Sequence, residues 1–150
     1  MAWIKILHFV LVFLAGFLAG WFFMKGGITG EVVSEPGNFL VNNDVLVYDD
    51  EVVVKIPNAR LVNYRDTGSM APVLGAGMNG IVVSPESEED INVGDIISFW
   101  KGKEIVVHRV VEKGVDSLGT YFITKGDRND FNDSKIRFEE IEGLLVGVIY

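Results

Sequence analysis

A hydroxyl, an imidazole and a group of carboxylates stand in three short stretches of this chain whose neighbours suggest chemistry. The stretch Arg65-Asp66-Thr67-Gly68-Ser69-Met70-Ala71-Pro72 sets Ser69 in a turn. Gly68 permits close backbone approach and Pro72 restricts Ala71 to extended geometry, so the loop can present Ser69 rigidly. A serine in a Gly/Pro turn also serves the turn itself, and that reading stands beside the nucleophile. Ile105-Val106-Val107-His108-Arg109-Val110-Val111 commits His108 to a run that is apolar on both faces. Strand alternation groups His108 with Val106 and Val110 and sends Arg109 to the other side with Val107 and Val111. Such a histidine is either buried, neutral and bonded to backbone, or a general base, which needs partial burial and an oriented ring.

The third stretch, Lys125-Gly126-Asp127-Arg128-Asn129-Asp130-Phe131-Asn132-Asp133, crowds three carboxylates into seven residues. Calcium-loop spacing fails. A frame starting at Asp127 has Phe131 in its fifth place, one starting at Asp130 has Lys135 where glycine belongs, and neither supplies Glu at the twelfth. What is left is a polar loop whose Asp side chains cap turns, or a source of a carboxylate that orients a histidine. Together the three stretches hold the parts of a nucleophile-base-orienter triad in the order Ser, His, Asp. No cofactor or metal is called for.

These groups need strands to position them. From Gly27 onward the pattern is short β-branched runs between turn residues, without a sustained 3.6-residue period. Val45–Tyr48 and Glu51–Ile56 flank Asp49-Asp50 as a hairpin, and Arg60–Tyr64 continues in extended form. Gly80–Ser84, Asp95–Trp100 and Glu104–Glu112 follow, the last two joined across Lys101-Gly102-Lys103. Gly119–Lys125 and Leu144–Tyr150 complete an all-β, mainly antiparallel soluble domain. Phe99-Trp100 belong either to the core or to a membrane interface.

The chain has 150 residues, 49% of them hydrophobic, with 13 Lys+Arg against 21 Asp+Glu, a net charge of −8 and no cysteine. A disulfide scaffold and thiolate chemistry are therefore excluded. Ile6–Met24 contains no Asp, Glu, Lys or Arg and would reach about 28 Å as a helix, enough for a bilayer core. It exceeds a signal-peptide core in length and lacks a small-x-small pair at its end, so a retained transmembrane α-helix is expected. This divides the chain into an N-terminal flank (1–5), an anchor (6–24), a linker (25–37) and a β-rich domain (38–150). Lys5 and the free amine before the anchor, against Lys25 after it, place the domain on the extracytoplasmic side of the cell membrane. Gly16 and Gly20 repeat at the spacing that admits a transmembrane helix partner. All the acids lie from Glu31 onward with 11 of the bases, so residues 31–150 carry a net charge of −10 and make a poor nucleic-acid binder.

The three stretches, with a V-G-D-I-I run between them, resemble boxes of the type I signal peptidase family. Gly68-Ser69-Met70-Ala71-Pro72 is similar to its G-S-M-x-P box, Val93-Gly94-Asp95-Ile96-Ile97 to the following strand, and Val107-His108-Arg109-Val110 to H-R-V. Thr124-Lys125-Gly126-Asp127-Arg128-Asn129 with Asp133 is similar to T-K-G-D-N-N and its second Asp. Histidine where bacterial members carry lysine points to the archaeal and endoplasmic-reticulum branch. Ala71 and Arg128 depart from the pattern at positions that hold no reacting atom, and residues 31–63 have no clear counterpart.

The resemblance implies a signal-peptidase-like fold and a serine endopeptidase that removes signal peptides from secretory pre-proteins at an A-x-A-like site. It implies Ser69 as nucleophile, His108 as base, Asp133 as orienter, and Asp127 ordering the loop or sharing that role. Thr67 and the Ser69 N–H would meet the oxyanion, and Met70 and Pro72 would shape the substrate loop. Signal peptides and the lipid bilayer are the implied partners. Three rivals stay open. One is an anchored, non-catalytic β-domain that binds a secreted partner, and another is a protease dedicated to a surface protein. The third is an aspartic protease using Asp66-Thr67-Gly68-Ser69, whose two-loop chemistry would demand a homodimer.

Overall fold

A computed structural model describes residues 36–40, 44–65 and 67–150, all within the unit Ser34–Tyr150. The expected anchor, with Gly16 and Gly20, and Asp66 lie outside the described residues. Among those described, no helix is long and apolar enough to cross a membrane.

Eight strands are formed among the described residues, and every pairing is antiparallel. Strands β1 (Val45–Val47) and β2 (Val52–Val54) form the small hairpin anticipated around Asp49-Asp50, closed by the Tyr48 N–H donating to the Glu51 carbonyl at 2.8 Å. The other six are β3 (Arg60–Asn63), β4 (Asn79–Val83), β5 (Ile96–Lys101), β6 (Glu104–Asp116), β7 (Gly119–Lys125) and β8 (Ile141–Ile149). They make one sheet in the order β3-β4-β8-β5-β6-β7. β6 runs four residues beyond the expected end at Glu112, and β8 starts three before Leu144. A register shift between Val110 and Glu112 lets β6 continue past the point where simple alternation breaks.

The β5–β6 hairpin sets the geometry of everything described below. Lys101 pairs with Glu104 across Gly102-Lys103, and Gly102 has φ +66, the left-handed value a two-residue turn requires at its first position. From that turn the register pairs Phe99 with Val106 and Ile97 with His108. Lys101, Phe99, Ile97, Glu104, Val106, His108 and Val110 therefore share one face, and Ile96, Val107 and Arg109 the other.

Both faces carry packed residues along Val106–Val110, which is why apolar side chains stand on both sides of His108 and Arg109. On the first, Ile97, Phe99, Val110, Phe122 and Leu144 pack with Ile91 and Ile136 from the loops. On the second, Met70 and Leu74 from the loop after β3 pack on Ile96 and Val107. The aromatic pair divides accordingly. Phe99 is buried in the first core, while Trp100 is exposed on the second face and donates from Nε1 to Glu142 at 3.4 Å.

Candidate active site

His108 reaches its position through the register of β6. It points into the first core face beside Phe99, whose ring centroid lies 6.4 Å away, and only 7% of the residue is exposed. An imidazole so placed needs a polar partner.

The partner comes from the loop after β7. The chain turns at Gly126–Asn129, where the Asn129 N–H donates to the Gly126 carbonyl at 2.8 Å. It then returns along β7. The Asp133 N–H donates to the Thr124 carbonyl at 2.7 Å, and Ile136 bridges Phe122. Thr124 pairs with Val110, so this return carries Asp133 to the His108 face. His108 Nδ1 and Asp133 Oδ2 are 2.5 Å apart, Thr124 Oγ1 donates to the same oxygen at 2.9 Å, and Lys101 Nζ donates to Oδ1 at 3.1 Å.

Burial pushes the Asp133 carboxyl upward. Hydrogen bonds from His108, Lys101 and Thr124 outweigh it and hold the group below its ordinary value. An ionised carboxylate only accepts, so Nδ1 carries the proton of the neutral ring and the lone pair is on Nε2. Among the described residues nothing hydrogen-bonds to Nε2. This is the tautomer that a general base would need.

Ser69 arrives by a separate route. Gly68 takes φ +71, Met70 and Leu74 are buried in the second core, and the Ala71–Pro72 peptide bond is cis. Met70 therefore anchors the loop from beneath, while Pro72 is exposed. The half-buried Ser69 shares a hydrogen bond with exposed Thr67, Oγ to Oγ1, at 3.2 Å. Its carbonyl accepts from the Arg128 N–H at 2.9 Å. Gly126 packs so closely beneath that carbonyl that a Cβ there would lie 2.8 Å from the oxygen. Lys125, the residue before Gly126, pairs with Arg109, the neighbour of His108. The two loops meet at this point. No hydrogen bond joins Ser69 to His108 among the described residues, and Ser69 Oγ is turned to Thr67.

Asp127 does not share Asp133's place. Arg109 grips it with two bonds, Nε to Oδ1 at 2.8 Å and Nη2 to Oδ2 at 2.7 Å, and donates from Nη1 to the Gly94 carbonyl at 2.8 Å. The bond to Asp127, against the cost of burial, raises the Arg109 pKa. The separation follows from alternation, because residues 108 and 109 leave β6 on opposite faces. Asp127 orders the loop and Asp133 meets the histidine.

Sequence reasoning missed Lys101 as a member of the cluster. The signal was present in the two-residue turn, since that register puts residue 101 on the face of residue 108. Among the described residues no group of three or more His, Cys, Asp or Glu side chains is placed to hold a metal ion. No family model, curated protein or solved structure matches the chain.

Proposed function

We propose that this chain is a membrane-anchored serine endopeptidase of signal peptidase I type, cutting secretory pre-proteins after small residues on the extracytoplasmic side of the cell membrane. The observation that carries the reading is the His108–Asp133 contact of 2.5 Å, which leaves Nε2 as the free basic nitrogen of the ring. In this scheme Ser69 Oγ leaves Thr67, passes its proton to Nε2 and attacks the scissile carbonyl. Catalytic hydrogen bonds of this kind commonly tighten only when substrate is bound. His108 then protonates the leaving amine, and water resolves the acyl-enzyme by the same base. The Ser69 N–H and Thr67 Oγ1 meet the oxyanion. The apolar segment 6–24 confines the site to the membrane where signal peptides emerge.

The Ser69–Thr67 bond is also what an anchored, non-catalytic β-domain would show, with Ser69 serving its own turn. One experiment separates the two readings. Detergent-solubilised wild type and Ser69→Ala are given a pre-protein with an Ala-x-Ala site. Cutting at that site by wild type alone supports the peptidase, and failure of both favours the binding domain. Equal cutting removes Ser69 as nucleophile.

A further inference from the structure

We infer that Lys101 is a positioning residue for His108, acting through Asp133; the inference rests on the peptidase reading only for its kinetic consequence. Asp133 has two oxygens and three side-chain partners. His108 and Thr124 share Oδ2, and Lys101 alone bonds Oδ1, at 3.1 Å. A carboxylate held at one oxygen can still pivot about its Cβ–Cγ bond, and the third bond at the other oxygen fixes its plane. The ring that bonds Oδ2 inherits that plane.

Lys101 also places a positive charge behind the His108–Asp133 pair. The groups facing the pair are Lys101 from β5, His108 from β6, Thr124 from β7 and Asp133 itself. Glu104 is opposite Lys101 in register, but the ion pair of Lys101 is with Asp133, and Arg109 and Asp127 are engaged with each other on the other face. The ammonium and a protonated imidazole would be two positive charges on one carboxylate, and each disfavours the other. The Lys101 side chain is 58% exposed against 11% for Asp133, so it can be changed without opening the core.

The test uses the full chain in detergent and two readouts. The first is the pH titration of the His108 ring by NMR, with His8 the only other histidine. The second is the acid limb of kcat/KM on the Ala-x-Ala pre-protein. Lys101→Met should move both midpoints upward by roughly half a unit to one unit. It should also lower kcat/KM by roughly fivefold, and Lys101→Arg should restore both midpoints. Midpoints unchanged in Lys101→Met, with Ser69-dependent cleavage intact, overturn the inference. If no variant shows Ser69-dependent cleavage, the peptidase reading falls by itself. The NMR midpoint then decides the inference alone: an upward shift reversed by arginine upholds it, and an unmoved midpoint ends it.

Discussion

The backbone N–H of Arg128 donates to the carbonyl of Ser69 at 2.9 Å, tying the loop that carries the hydroxyl to the loop that carries Asp133. Gly126 makes this approach possible. A methyl at residue 126 would sit 2.8 Å from the Ser69 oxygen and 2.7 Å from Asn129 Nδ2, and the first of these is backbone that cannot swing aside. Gly126→Ala should therefore lose about 1 to 3 kcal/mol of stability by overpacking. It should also lose cleavage at temperatures where it remains folded. Thermal unfolding paired with the cleavage assay checks this, and a variant with wild-type activity would show that the loops need not touch.

Asp133→Asn and Asp127→Asn should separate the two carboxylates. Losing the orienter of a triad histidine typically costs on the order of 10⁴ in kcat. Asp127→Asn loses part of the Arg109 fork and should act mainly on stability. Its side chain is 18% exposed and that of Arg109 20%, so the loss belongs between surface and buried pairs, at about 1 to 3 kcal/mol. Comparable kcat losses in the two variants would contradict this division.

The pH dependence of stability follows from the lowered Asp133 pKa. Folding favours the ionised form, so the unfolded chain binds more protons in the acid range and stability rises with pH. The contribution is complete above the unfolded-state carboxylate value, near 3.9, and is lost as pH falls through the lower folded value. The Tm of wild type should exceed that of Asp133→Asn at neutral pH, and the gap should narrow on acidification below about pH 4. A gap independent of pH would mean that the carboxylate charge contributes nothing.

Thr67→Val keeps shape and removes the hydroxyl that stands 3.2 Å from Ser69 Oγ. An oxyanion donor is worth on the order of 100-fold or more in kcat, and Thr67→Ser should retain most of it. Because Thr67 is exposed, thermal stability should stay within about 0.5 kcal/mol. Unchanged kcat in Thr67→Val would leave the Ser69 N–H as the donor without help from Thr67.

Phe122→Ala should cost about 3 to 5 kcal/mol. Phe122 is fully buried, and it also bridges the returning segment at Ile136, so its loss loosens the support of Asp133. Denaturant unfolding measures the cost, and a loss below about 1 kcal/mol would contradict this account of the core.

The strands were legible because β-branched runs and turn residues are local signals. Gly119–Lys125 emerges with its expected bounds, and the β5–β6 hairpin follows from a turn whose chemistry is written in Gly102. Alternation likewise assigned His108 and Arg109 to opposite faces, since side-chain direction along a strand depends on parity alone. Strand lengths were less legible. β6 passes through a bulge after Val110, where an extra residue resets the phase and hides the continuation.

By itself, then, the sequence determined the β architecture, the faces of its strands and the candidates Ser69, His108, Asp127 and Asp133. Only the tertiary structure decided which carboxylate meets the imidazole. Asp127 and Asp133 lie in one loop, six residues apart, and no local pattern tells them apart. The choice is made by the return of residues 133–136 along β7, which carries Asp133 to the His108 face, and by Arg109, which captures Asp127 on the other. Lys101 joins the site for the same reason, because a contact between residues 101 and 133 exists only once β5, β6 and β7 lie side by side.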